Sequence, residues 1–191
     1  MPGIKGTRTE KNLLAAFAGE SQARNRYSFA ASAAKKEGYE QIAAIFLETA
    51  EQEKQHAKRF FRFLEGGMVE LTAAYPAGTL GSTIENLRAA AGGEHEEHTV
   101  VYPEFARIAR EEGFPQVATQ FTLTARAEAH HEDRFRMLLN NLETGSTFRK
   151  AASVKWICRE CGYVHEGPEA PGKCPCCEHA QAFFQVLADA Y

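Results

Sequence analysis

Glu53-Lys-Gln-His56 and Glu128-Ala-His-His131 are two copies of one pattern, a carboxylate followed three residues later by an imidazole. Residues three apart on a helix share a face about one turn along, so such a pair can hold a metal ion between them. A single Glu-x-x-His in a charged helix is ordinarily a solvated face. Here the two copies sit in register within a longer repeat. A shift of 75 residues lays Gly38 on Gly113, Tyr39 on Phe114, Phe46 on Phe121, Arg59 on Arg134 and Phe60 on Phe135. Each unit also carries an upstream Glu after a Gly, in Gly19-Glu20 and Gly93-Glu94.

Four helices are needed to bring these groups together, and the apolar spacing supplies them. The first runs from a Thr7 or Thr9 cap to about 36, with Leu13, Ala16, Phe17, Glu20, Arg24 and Tyr27 on one stripe. A Glu on an apolar stripe is informative, because burying a bare carboxylate without a partner is costly. The second spans about 39–65, with Glu53 and His56 on its inner face, and Gly66-Gly67 is expected to stop it. The third covers about 82–112, opened by a Ser82/Glu85 capping box, and the fourth about 114–142. Residues 67–80, with Pro76 and Gly78, lack periodicity and suit a long crossover. Two lone Glu and two Glu-x-x-His on four helices is the constellation of ferritin-like di-iron carboxylate bundles.

The tail is chemically different. All five cysteines fall between 158 and 177, as Cys158-x-x-Cys161 and Cys174-Pro-Cys176-Cys177. Two such pairs with twelve residues between them point to a tetrahedral thiolate site for iron or zinc, held by Cys158, Cys161, Cys174 and Cys177. Cys176 is surplus and reads as a free thiol. A module of this size needs a metal staple, with Trp156, Tyr163, Phe183 and Phe184 as its small core. The expected division is therefore 1–148 for an all-α four-helix bundle with one long crossover, and 149–191 for a four-cysteine domain.

Composition limits the partners. A formal net charge of -3 advertises neither a nucleic-acid patch nor a membrane-binding surface. No stretch approaches the ~20 apolar residues of a membrane span. Met1-Pro-Gly-Ile-Lys-Gly6 does not read as a secretory signal, and clustered cysteines in odd number suit thiolates in a reducing cytoplasm.

Together, Gly19-Glu20-Ser-Gln-Ala-Arg24, Glu53-x-x-His56, Glu94-x-x-Glu97, Glu128-x-x-His131 and the cysteine pairs continuing as Cys161-Gly162-Tyr163 resemble the rubrerythrins over essentially the whole chain. The resemblance implies a ferritin-like di-iron bundle followed by a rubredoxin-like domain whose single metal is iron. It implies a homodimer that reduces hydrogen peroxide with electrons from rubredoxin or an NAD(P)H-dependent reductase. It also implies one iron moving between Glu97 and His56. A ferritin-like ferroxidase or iron-handling protein is the alternative, and a zinc-ribbon adaptor a more distant one. The Cys at 176 departs from the family pattern.

Within this set Glu20, Glu53, Glu94, Glu128, His56 and His131 are the expected iron ligands, and Glu97 a further one. Glu97 follows Glu94 on the same face and adds a fifth carboxylate, which favours a ferric pair. Glu96 points off that face. His95, His98, His130, His165 and His179 read as surface or supporting residues. Tyr27 and its repeat mate Tyr102 are placed to donate hydrogen bonds to ligating carboxylates, or else to serve as plain core tyrosines.

The repeat has a flaw. From Tyr27 onward the offset is 75, but Asn12, Leu13 and Glu20 fall on Asn86, Leu87 and Glu94, an offset of 74. The third helix thus holds one extra residue between Glu94 and Tyr102. In a regular helix that residue would rotate every later core position by about 100°. A π-type turn or kink within 94–103 absorbs it and aims Glu97 into the site.

Overall fold

The computed structural model describes residues 3–188. Thr7 caps α1 (Arg8–Lys36), its hydroxyl accepting from the Glu10 N–H. Gly38, at φ 84°, turns the chain into α2 (Glu40–Phe61), a backbone region that L side chains avoid. α2 ends four residues before the expected 65. Phe63 and Leu64 leave the helix to pack on the core, Arg59 lying over the Phe63 ring, so apolar burial stops the helix before the glycines can.

The chain then crosses over without regular structure, tied to α1 by the Tyr75 hydroxyl donating to the Ala15 carbonyl at 2.9 Å. The Ser82/Glu85 capping box opens α3 (Thr83–Glu96). A π-helical turn, Glu97–Val101, follows, and α4 (Tyr102–Glu111) continues the rod. The Tyr102 N–H donates to the Glu97 carbonyl, five residues back. The extra residue of the second repeat is taken up where the offset places it. α5 (Pro115–Glu143) completes four rods, α1 beside α2 and the third rod beside α5. No described helix is long and apolar enough to cross a membrane.

The core lies in two apolar layers. One holds Ala23, Tyr27, Phe46, Ala50, Leu87 and Phe135, the other Leu13, Ala16, Phe60, Tyr102, Val117 and Phe121. On every rod the chemistry-bearing residues fall between the two. The layers are repeat mates: Phe46–Phe135 and Phe60–Phe121 ring centroids are both 5.1 Å apart, and Tyr27–Phe46 and Tyr102–Phe121 both 5.9 Å. Near-equal spacing at paired positions is what a duplicated unit folded about a pseudo-twofold axis produces.

Beyond α5 the chain forms an antiparallel sheet of order β2-β1-β3, with β1 (Arg149–Cys158), β2 (Val164–Glu169) and β3 (Phe184–Val186). Trp156 and Phe184 are fully buried in its core, Tyr163 and Phe183 partly so, and the Trp156 indole donates to the Gly167 carbonyl. This small strand domain rests near the α1–α2 turn, with Tyr39 stacked on Phe148.

Candidate metal centre

The two Glu-x-x-His pairs meet at mid-bundle and form two overlapping sets of donors. Glu20, Glu53, His56 and Glu128 make one, Glu53, Glu94, Glu128 and His131 the other, each with its donor atoms within 4.8 Å of one another. Glu53 and Glu128 belong to both. His56 Nδ1 lies 2.9 Å from Glu128, 3.1 Å from Glu53 and 3.8 Å from Glu20. His131 Nδ1 repeats this at 2.9 Å from Glu128, 3.1 Å from Glu53 and 3.8 Å from Glu94.

Four carboxylates at 0–1% exposure are a large unsolvated charge. Glu20 Oε2, Glu53 Oε1, Glu94 Oε2, both Glu128 oxygens and His131 Nδ1 are buried without a hydrogen-bond partner. His131 Nδ1 is close enough to Glu128 and Glu53, yet the angles do not make bonds, so these atoms point at shared space more than at each other. That is the arrangement two cations would satisfy. Without them, burial and then the Glu53 charge push the Glu20 carboxyl up to about 8, and burial lifts Glu94 to about 7. Burial works against charge on both histidines, but the surrounding carboxylates outweigh it and raise both.

The tyrosines are hydrogen-bond donors, and they cross over. Tyr27 on α1 donates to Glu94 Oε1 on α3 at 2.5 Å, and Tyr102 donates to Glu20 Oε1 on α1. Each repeat therefore orients the lone Glu of the other. His131 is fixed from behind by Nε2 against Gln52 Oε1 at 2.9 Å. The residue 75 beyond Gln52 is Ala127, so His56 has no counterpart of that contact. Sequence reasoning passed over Gln52 because its role rests on a cross-helix contact.

Glu97 stands outside both four-member sets. Burial first, then the charges of Glu20, Glu94, Glu128 and Glu53, push its carboxyl well above the usual range. It also lines a cleft of about 410 Å³ with Gly19, Tyr75, Val101, Tyr102 and Phe105, roofed in part by the crossover. The structure thus gathers Glu20, Glu53, Glu94, Glu128, His56 and His131, and leaves Glu97 between that group and the cleft.

In the strand domain Cys158, Cys161, Cys174 and Cys177 converge, with Cys158–Cys177 and Cys161–Cys174 sulfurs both 3.7 Å apart. A tetrahedron with metal–sulfur bonds of about 2.3 Å has an edge of about 3.8 Å, so the four thiols fit one metal. Cys176 is exposed and outside the set.

Comparison with known proteins agrees. A family model described as Rubrerythrin matches residues 11–143, and one described as Rubrerythrin, rubredoxin-like domain, matches 156–185. The chain is 60% identical over 188 residues to a rubrerythrin of Porphyromonas gingivalis, covering 98% of this chain and 94% of that protein. It is 55% identical over 187 residues to the rubrerythrin of Nitratidesulfovibrio vulgaris, covering 98% of each. Among solved structures, fully reduced, all-ferrous nigerythrin aligns with a TM-score of 0.64 at 33% identity, over 96% of this chain and 91% of that one.

Proposed function

The chain belongs to the rubrerythrin family, di-iron proteins linked to oxidative stress, and we propose that it is a non-haem peroxidase reducing hydrogen peroxide to water. One observation carries the reading: two overlapping carboxylate–imidazole sets share Glu53 and Glu128 in a chain that also builds a four-thiolate site. Glu20 and His56 would hold one iron, Glu94 and His131 the other, and Glu53 and Glu128 both. When bound, the iron pair supplies the two electrons of the reduction, and the tetrathiolate iron, a one-electron centre, returns them.

The chain's own residues do the rest. Tyr27 and Tyr102 hold Glu94 and Glu20 in place, and Gln52 holds the His131 ring. His56, free of such a brace, and Glu97, on the cleft side, would be the pair that exchanges as ligands, as the family resemblance implies. The cleft beside Glu97 and Tyr102 admits peroxide, and the two apolar layers exclude bulk water. Reduction consumes two protons, and the cleft that Glu97 and Tyr102 line is their route to the site.

The functional units of this reading are 1–148 and 149–191. Gly38, in the turn before α2, lies against Ala182, and Glu53 is thirteen residues past Glu40, the first residue of α2, about 20 Å at 1.5 Å per residue. The family resemblance supports a homodimer. An NAD(P)H-fed donor such as rubredoxin completes the chain, in a reducing cytoplasm that keeps the free cysteines as thiols. A ferroxidase would use the same carboxylates but has no use for a one-electron relay. Metal analysis with visible spectra tests the assignment. Three irons per chain, with thiolate-to-ferric absorption bleached by reductant and restored by peroxide, are expected. Zinc in the tail, or restoration by dioxygen alone, would refute it.

A further inference from the structure

A second group of metal-ligand side chains lies on the bundle's outer face, away from the six central donors. His95 at the end of α3, His98 in the π-turn and Glu132 on α5 bring three donor atoms within 4.8 Å of one another. His95 Nδ1 is 3.1 Å and His98 Nε2 2.5 Å from the same oxygen, Glu132 Oε2. The carboxylate's other oxygen is taken by Arg136 Nε at 2.5 Å. Glu132 is buried, so its position is set by packing, while His95 is exposed and His98 half-buried.

We propose that His95, His98 and Glu132 form a separate binding site for one divalent transition-metal ion, of the class of Zn²⁺ or Fe²⁺. An ion pair needs only one imidazole per carboxylate oxygen. Two rings from different turns aimed at one oxygen, with the other oxygen anchored by Arg136, is how a carboxylate is presented to a cation. Two imidazoles and one carboxylate select borderline metals over Mg²⁺ or Ca²⁺. Ligands at about 2.0–2.2 Å around zinc stand about 3.3–3.5 Å apart in a tetrahedron. The His95 contact is near that value, and the His98 ring has to open by less than about 1 Å. The exposed side leaves coordination positions for water, so the site takes up and releases its ion and is not a structural staple. A cation here ties the π-turn that carries Glu97 to α5, the helix that carries Glu128 and His131.

The test is zinc titration of the iron-loaded, tag-free chain by calorimetry, with iron content and the thiolate spectrum followed in parallel. Wild type takes up one Zn²⁺ per chain without losing iron, and excess Mg²⁺ does not compete. His95→Ala, an exposed position that leaves the fold intact, and His98→Ala each weaken that binding by at least about tenfold, with iron content and melting temperature retained. Unchanged zinc binding in both variants, uptake matched by release of iron, or no uptake at micromolar zinc would overturn the assignment.

Discussion

Stripping the metals from the bundle makes its stability fall as pH rises through neutrality. In the metal-free fold the Glu20 carboxyl titrates near 8 and Glu94 near 7, against 4.5 when exposed. Between the exposed and the buried value the folded chain holds a proton that the unfolded chain has released, so each pH step favours unfolding by about 1.4 kcal/mol per group. From roughly pH 5 upward, Glu20 alone has a ceiling of about 4 kcal/mol and Glu94 about 3. His56 and His131, also raised, add in the same direction once pH passes 6.5, where an exposed imidazole loses its proton. Water entering the opened site reduces these ceilings, and about 3 kcal/mol is the working figure. For a chain of this size that is a melting temperature roughly 6–12 °C higher at pH 5 than at pH 8. Glu112 and Glu132 oppose this trend only at lower pH. Burial acts against their ionisation, but their hydrogen-bond partners bring both down to about 2, and that stabilisation fades below 4.5. The assay is differential scanning calorimetry of chelator-treated protein across this range. Flat apo melting would mean that the carboxylates are not clustered in the folded chain.

Glu53→Ala or Glu128→Ala removes a donor common to both sets, so the bundle should lose both irons while the thiolate–iron spectrum persists; two bundle irons in either variant would disprove the shared-ligand geometry. Cys161→Ser should stop re-reduction of the bundle while pre-reduced protein still consumes one equivalent of peroxide in a single turnover, and a normal steady-state rate would rule out the relay. Cys176→Ser should leave the spectrum unchanged, since that thiol is exposed and outside the four-sulfur set. Tyr27→Phe deletes a hydrogen bond to a buried carboxylate, a loss of about 1.5–3 kcal/mol, and should weaken bundle iron binding about tenfold or more. Iron affinity equal to wild type would make Tyr27 a packing residue only.

The duplicated motif made the bundle legible because repetition reports both the elements and their mutual placement. Glu20 on an apolar stripe and the offset change between Glu94 and Tyr102 each carried a physical contradiction, a buried charge and a surplus residue, and in the fold these meet as a cluster of metal-ligand side chains and a π-turn. What stayed hidden depends on contacts between distant residues. Gln52 behind His131 has no local signature. Glu132 follows a ligand histidine and reads as an ordinary helix charge until His95, His98 and Arg136 close on it. The end of α2 was misplaced for the same reason, since packing of Phe63 and Leu64 overrides the glycine signal. The strands of the cysteine domain were likewise invisible: β1 alternates in burial only near its end, and the cysteine spacing dominates the pattern.

The departures from the repeat all bear on one side of the site. A strictly duplicated bundle would give two equivalent metal positions, each with a braced histidine and a straight ligand helix. Here the brace exists for His131 through Gln52, and Ala127 withholds it from His56. The extra residue exists only in the third rod, where the π-turn begins at Glu97 beside the cleft. The unbraced imidazole and the additional carboxylate therefore arise from independent changes, one in α5 and one in the third rod. In the proposed peroxidase reading, with Glu97 and His56 exchanging as ligands, one face of the metal pair would have to adjust while the other stays fixed. Restoring the symmetry should accordingly cost function more than fold. Ala127→Gln, placed to brace His56 as Gln52 braces His131, should leave iron content and melting temperature near wild type and slow peroxide turnover. An unchanged rate, with the new contact verified by structure, would show that His56 does not need to move.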